Sequence, residues 1–190
     1  MALFGWKLFG GRDRGERERL GYALYGAAVA AARQPFFYAE LGVPDTMNGR
    51  FDMVGLHAFL LIRRLTGEGT RTEPEAARLA QAVFDAMFHD MDVNLRELGV
   101  GDLSVGKKVR VMWEAFHGRA AVYAEAMTIG PEALAEALER NVWPDDSTQS
   151  KAAANLARLA YAQDAHLSRR SINQIKTGEG LFMDAALVFA

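Results

Sequence analysis

The sequence predicts an all-α fold, a single-domain bundle of six to seven helices. Three observations carry that reading. Apolar residues recur at steps of three and four along nearly the whole chain, and no segment shows the alternation of a half-buried strand. Gly- and Pro-containing turns punctuate the periodic stretches. No repeat, low-complexity tract or linker divides the 190 residues, a length suited to one core and short for two.

The elements follow in order. Residues 1–15 are expected to form a flexible amino-terminal segment, because Gly10-Gly11 would detach it from the bundle residues 16–190. Its aromatics Phe4, Trp6 and Phe9, followed by arginines, also fit contact with a membrane interface. A first Ala-rich helix is expected over 16–33, stopped at Gln34-Pro35. Phe36, Phe37, Tyr38 and Leu41 lead into the turn Gly42-Val43-Pro44-Asp45. A second helix, 48–66, ends at Gly67 and is apolar almost all round, which predicts a central position or a partner. Thr72 and Glu75 have capping-box spacing and open a helix over 73–98. Its stripe is Ala76, Leu79, Val83, Met87, Met91, Leu95 and Leu98, with Gly99 as its left-handed stop. Ser104 is expected to cap a helix over 105–128. Pro131 opens one over 131–142, ended by Trp143-Pro144. Helices over 148–166 and 168–176 precede an apolar tail.

Composition narrows the function. Half the residues are hydrophobic, a quarter are charged and the net charge is −2, so no basic field gathers nucleic acid. The chain has no cysteine, which excludes disulfides, thiolate metal sites and a cysteine nucleophile, and fits a reducing compartment. No stretch reaches the eighteen apolar residues of a membrane span. Residues 20–32 follow four arginines in the manner of a signal peptide. Asp13, Glu16 and Glu18 offset those arginines, however, and the apolar part is Ala-, Gly- and Tyr-rich, so no cleavage is expected.

The chemical motifs are weak. Residues 101–108 match a phosphate-binding loop until Lys108 stands where a magnesium-binding Ser or Thr belongs, and a helix precedes them instead of a strand. Glu114 and His117 have the spacing of a helical ligand pair, but a di-iron bundle needs that pair twice. His57, His89, His117 and His166 are scattered one per helix. His57, in the apolar run 56–62, reads as an interior histidine. A haem- or metal-binding helical protein serving cofactor delivery stays open as an alternative. No nucleophile elbow exists for hydrolysis. Asp85, His89, Asp92 and Arg96 fall on one helix stripe, with Asp92 and Arg96 as an i,i+4 pair.

One resemblance is specific. It rests on Phe37-Tyr38-x-x-Leu41-Gly42-Val43-Pro44-Asp45, then Gly49-Arg50-Phe51-Asp52 and Leu56-His57-x-Phe59-Leu60-Leu61-x-Arg63-Arg64-Leu65. It continues through Phe88-x-Asp90-Met91-Asp92-x-Asn94-Leu95-Arg96-Glu97-x-Gly99-Val100-Gly101-Asp102, Val105-Gly106-Lys107-Lys108 and Phe116-x-Gly118-Arg119-x-x-x-Tyr123. In these runs the chain resembles the ubiquinol–cytochrome c reductase chaperone family of mitochondria and α-proteobacteria. The resemblance implies a non-enzymatic assembly factor for respiratory complex III, without a cofactor of its own. It would bind newly made cytochrome b while haem is inserted and then release it. It also implies a small partner protein and the ribosome exit as further contacts, as for the mitochondrial member. A bacterial cytoplasmic form, peripheral at the inner membrane, is expected. Helix faces and the family pattern together nominate a client-binding surface. Its charged rim is Asp90, Asp92, Arg96, Glu97, Lys107, Lys108 and Arg119, and its apolar part is Phe37, Tyr38, Met112 and Phe116.

Overall fold

The computed structural model describes residues 6–67, 70, 73–146 and 148–189, and of residues 6–13 the backbone alone. Among them the fold is all-α. Six helices of twelve or more residues make the bundle: α1 (Trp6–Ala32), α3 (Met47–Thr66), α4 (Pro74–Glu97), α5 (Asp102–Ile129), α6 (Pro131–Val142) and α7 (Ser150–Ser168). Two five-residue helices, α2 (Pro35–Ala39) and α8 (Ile172–Lys176), and a closing 3-10 turn (Ala185–Val188) complete it. No strand occurs among the described residues.

Helix α3 is central, touching α1, α4, α5, α6 and α7. Its all-round apolarity is used inward: Met53, Leu56, His57, Leu60, Leu61 and Leu65 are all buried. Each of these methionine and leucine side chains contributes about 1.5–3 kcal/mol when withdrawn from water. Helix α1 lies along α4 and α3, and α6 and α7 pair on the opposite flank. The α4 stripe behaves as its spacing requires, with Ala76, Leu79, Val83, Met87, Met91 and Leu95 buried, whereas Leu98 is 62% exposed. It sits at the helix end, past the last turn that faces the core.

Several boundaries differ from the sequence reading. Helix α1 begins at Trp6, earlier than residue 16, and Met1 to Gly5 lie outside the described residues. Thr72 also lies outside them. The residue before α4 is Glu73, whose side chain makes no capping bond, and Glu75 instead pairs with Lys176 at 2.6 Å. Ser104 is not the cap of α5. The Gly101 carbonyl already accepts from the Ser104 and Val105 amides, so the helix starts at Asp102 and Ser104 lies within its first turn.

Two glycines fix the ends that matter for the site. Gly99 stops α4 with φ +78°, the left-handed backbone that favours glycine. At Gly49 a Cβ would stand 2.0 Å from the Pro44 carbonyl oxygen, so the incoming loop can lie on the first turn of α3 because no side chain intervenes. The carboxyl-terminal tail is pinned by amide side chains. Gln163 exchanges two 2.9 Å hydrogen bonds with the Met183 backbone, and Gln34 accepts from the Ala185 amide at 2.7 Å.

Candidate binding groove

The carboxyl end of α4 and the amino halves of α3 and α5 do not close against one another. They leave two adjoining depressions of about 460 and 550 Å³. Met47, Phe51, Leu95 and Met112 line both, so the two form one continuous groove. The first half is walled by Tyr25 and Val29 of α1 with Arg33 just past its end, Arg50 and Val54 of α3, and Asp90 of α4 with Leu98 just past its end. The second is walled by Lys107, Lys108, Val111, Ala115 and Arg119 of α5. Met47, Leu98 and Val111 are each more than half exposed, an unusual display of large apolar side chains.

Charged groups along the groove are mostly engaged. The Tyr25 hydroxyl donates to Asp90 at 2.8 Å, and burial with that carboxylate raises the tyrosine pKa. Arg50 pairs with Asp45 at 2.6 Å. Beneath the floor, Asp52 is buried, with Arg119 Nη2 3.0 Å from its Oδ1. That approach lacks hydrogen-bond geometry, and both Asp52 Oδ1 and Arg119 Nε are without a hydrogen-bond partner. Burial pushes the Asp52 carboxyl up from 3.8 to about 6, against the opposing pull of Arg119. A small cavity of about 10 Å³, at the lower limit for one water molecule, lies beside the pair, lined by Phe59, Phe116 and Tyr123 among others. The Arg119 guanidinium also sits over the Phe51 ring, 5.6 Å from its centroid. Arg119 therefore belongs both to the groove wall and to the buried pair.

The nominated residues divide into three groups. Asp90, Lys107, Lys108, Met112 and Arg119 come together around the groove. Asp92, Arg96 and Glu97 lie at the α4–α5 corner instead. Arg96 meets Asp92 at 2.6 Å and also meets Asp102, which ties the end of α4 to the first turn of α5. Glu97 is exposed beside them. The remaining apolar candidates are not groove-facing. Phe37 is fully buried, edge-on to the His57 ring at 5.3 Å. Tyr38 is half-buried and donates to the Ala32 carbonyl. Phe116 is buried under the floor against Phe84 and Phe88. Phe37 thus presents no surface to a partner in this conformation, and Phe116 presents little. The groove also contains Met47, Leu95 and Val111, which the sequence reading does not single out as a surface, and Phe51 and Val54, which it gives as part of a helix either central or covered by a partner. Helical spacing marks all of them as apolar, but not which face stays open.

The other motifs resolve structurally. Residues 102–108 are helical, so no backbone loop is there to cradle a phosphate. Glu114 accepts from Arg110, and His117 bonds the Trp113 carbonyl and stacks on its ring at 3.9 Å. Among the described residues no group of three or more His, Cys, Asp or Glu is placed to hold a metal ion. His57 is interior, as its run implies. Its Nδ1 bonds the Met53 carbonyl, its Nε2 has no partner, and burial lowers its pKa to about 4, so the ring is neutral. No described helix is long and apolar enough to cross a membrane.

Comparison with known proteins agrees with the pattern of residues. The chain is 26% identical over 120 residues to the ubiquinol-cytochrome c reductase complex assembly factor 1 of Drosophila melanogaster, covering 63% of this chain and 46% of that protein. It is 24% identical over 119 residues to the Xenopus laevis protein of the same description, covering 63% and 58%. It therefore spans about half the length of the curated relatives it matches. The crystal structure of the Cbp3 homolog from Brucella abortus superposes with a TM-score of 0.80 at 36% identity, over 95% of this chain and 97% of that one. The family model described as ubiquinol-cytochrome C chaperone matches residues 39–182, which include every groove-lining residue named above from α3, α4 and α5. By sequence and by fold, this chain belongs to the ubiquinol-cytochrome C chaperone family.

Proposed function

We propose that the chain acts without catalysis as an assembly chaperone for complex III, holding newly made cytochrome b by noncovalent contact along the groove and then releasing it. The observation that carries this reading is the exposed apolar lining of Met47, Leu98 and Val111, continuous with Phe51 and Met112 and framed by charged side chains. A polytopic membrane protein has apolar helices that cannot be left in water before assembly. A surface that grips them needs apolar area for affinity and a polar rim for orientation and rate. Met47 and Met112 suit such a surface, because unbranched thioether side chains adapt to different partners. The proposed site of action is the cytoplasmic face of the inner membrane, where an unfinished client emerges.

The test is genetic and direct. Deleting the gene is expected to lower assembled complex III while other respiratory complexes persist, and a Val111→Asp, Met112→Asp variant that folds is expected not to restore it. Unchanged complex III in the deletion strain, or full rescue by that folded variant, defeats the proposal.

A further inference from the structure

The two halves of the groove differ in charge. The half bounded by α1 and α4 is balanced: Arg33 and Arg50 face Asp45 and Asp90, with Arg50 already paired to Asp45 and Asp90 bonded by Tyr25. The half along α5 contains Lys107, Lys108 and Arg119, and no carboxylate lines it. Arg119 has its counter-charge in Asp52 beneath. Lys107 and Lys108 are exposed, and neither pairs with a carboxylate among the described residues. The excess of positive charge is therefore confined to one end of a groove that is apolar along its length.

From this asymmetry we infer that the groove is directional. It takes an apolar helical segment whose carboxylate-bearing end lies over Lys107 and Lys108, while its uncharged end lies toward Val29 and Val54. This rests on the groove being the client surface and adds the chemistry it selects. A segment ending in lysines or arginines at that place meets like charge, which disfavours the reversed orientation and the wrong segment alike. Arg119 fixes the depth of the cationic end. Its guanidinium is held between Asp52 and the Phe51 ring, so it cannot retreat from the groove as a free lysine can. Asp52 is a positioning residue in this arrangement.

The experiment titrates the full chain with two labelled peptides that share one Leu- and Ala-rich helical stretch. One carries a pair of glutamates at its carboxyl end, the other a pair of lysines. A photo-cross-linker is placed next to the charged pair. The acidic peptide is expected to bind about tenfold more tightly at low salt, the effect of roughly two rim ion pairs, and to lose that advantage as salt rises. Its cross-links are expected on the amino half of α5. The Lys107→Glu, Lys108→Glu variant is expected to reverse the preference. Equal affinity of both peptides, with binding of both lost in Met112→Asp, overturns the directionality and leaves the groove reading standing. Cross-links distributed over both ends overturn it as well. Failure of both peptides to bind overturns both readings.

Discussion

Replacing Arg119 by methionine probes a charged contact that joins the groove to the core. The variant keeps the stem of the side chain but removes the guanidinium 3.0 Å from Asp52, whose side chain is 4% exposed. Breaking a buried pair from one side leaves an uncompensated charge and costs about 3–5 kcal/mol, a large share of the about 5–15 kcal/mol that stabilises an ordinary domain. The starting balance is already unfavourable to the charge. A carboxyl raised from 3.8 to about 6 carries a penalty of roughly 3 kcal/mol for its ionised form even with Arg119 present. Because the folded pKa lies above the unfolded one, this penalty applies fully above pH 6 and is relieved as pH falls from 6 toward 4. Urea unfolding from pH 5 to 8 is the assay. Arg119→Met should be most destabilised at pH 8 and recover toward pH 5. Adding Asp52→Asn should restore all but about 1 kcal/mol, since the amide needs no counter-charge. A deficit under 1 kcal/mol, a deficit independent of pH, or no rescue by the double variant would refute the reasoning.

The remaining predictions use other parts of the bundle. His57 titrates with the opposite sign: its folded pKa, lowered to about 4 by burial, means stability is lost as pH falls from 6.5 toward 4. Acid unfolding should therefore be flatter in His57→Gln and steeper in Asp52→Asn than in the wild type, measured by circular dichroism against pH. Phe37→Ala should cost about 3–5 kcal/mol in urea unfolding, since the ring is fully buried. Gly49→Ala should cost about 1–3 kcal/mol, because the new Cβ would meet the Pro44 carbonyl oxygen, a backbone atom with little room to move. A cost below about 0.5 kcal/mol would show that the 42–46 loop yields.

Much of the fold was legible because helical bundles announce themselves through spacing and stops. The Pro131 start, the Gly99 stop and the buried α4 stripe all follow from local chemistry: fixed proline φ, the left-handed glycine and the period of 3.6. The errors arose where tertiary context decides. Helix faces and the family pattern nominate Phe37 as part of the apolar surface, yet the short α2 places it against His57 and the core. The spacing pairs Arg96 with Asp92, which holds, but the Gly99 turn also returns Asp102 to it. The groove was half legible. Lys107, Lys108, Met112 and Arg119 are nominated by helix faces together with the family pattern, whereas Phe51, Leu95 and Val111 have the same periodicity as core residues. An open face and a closed one give the same stripe, and packing alone distinguishes them.

The central claim is that the groove itself grips unassembled cytochrome b. Site-specific photo-cross-linking in cells tests it most directly, with the probe placed in turn at Met47, at Val111 and at Glu136, an exposed residue of α6 away from the groove. A cytochrome b adduct is expected from Met47 and Val111, diminished once assembly is complete, and little from Glu136. Cytochrome b captured equally from all three positions, or from Glu136 alone, would contradict it.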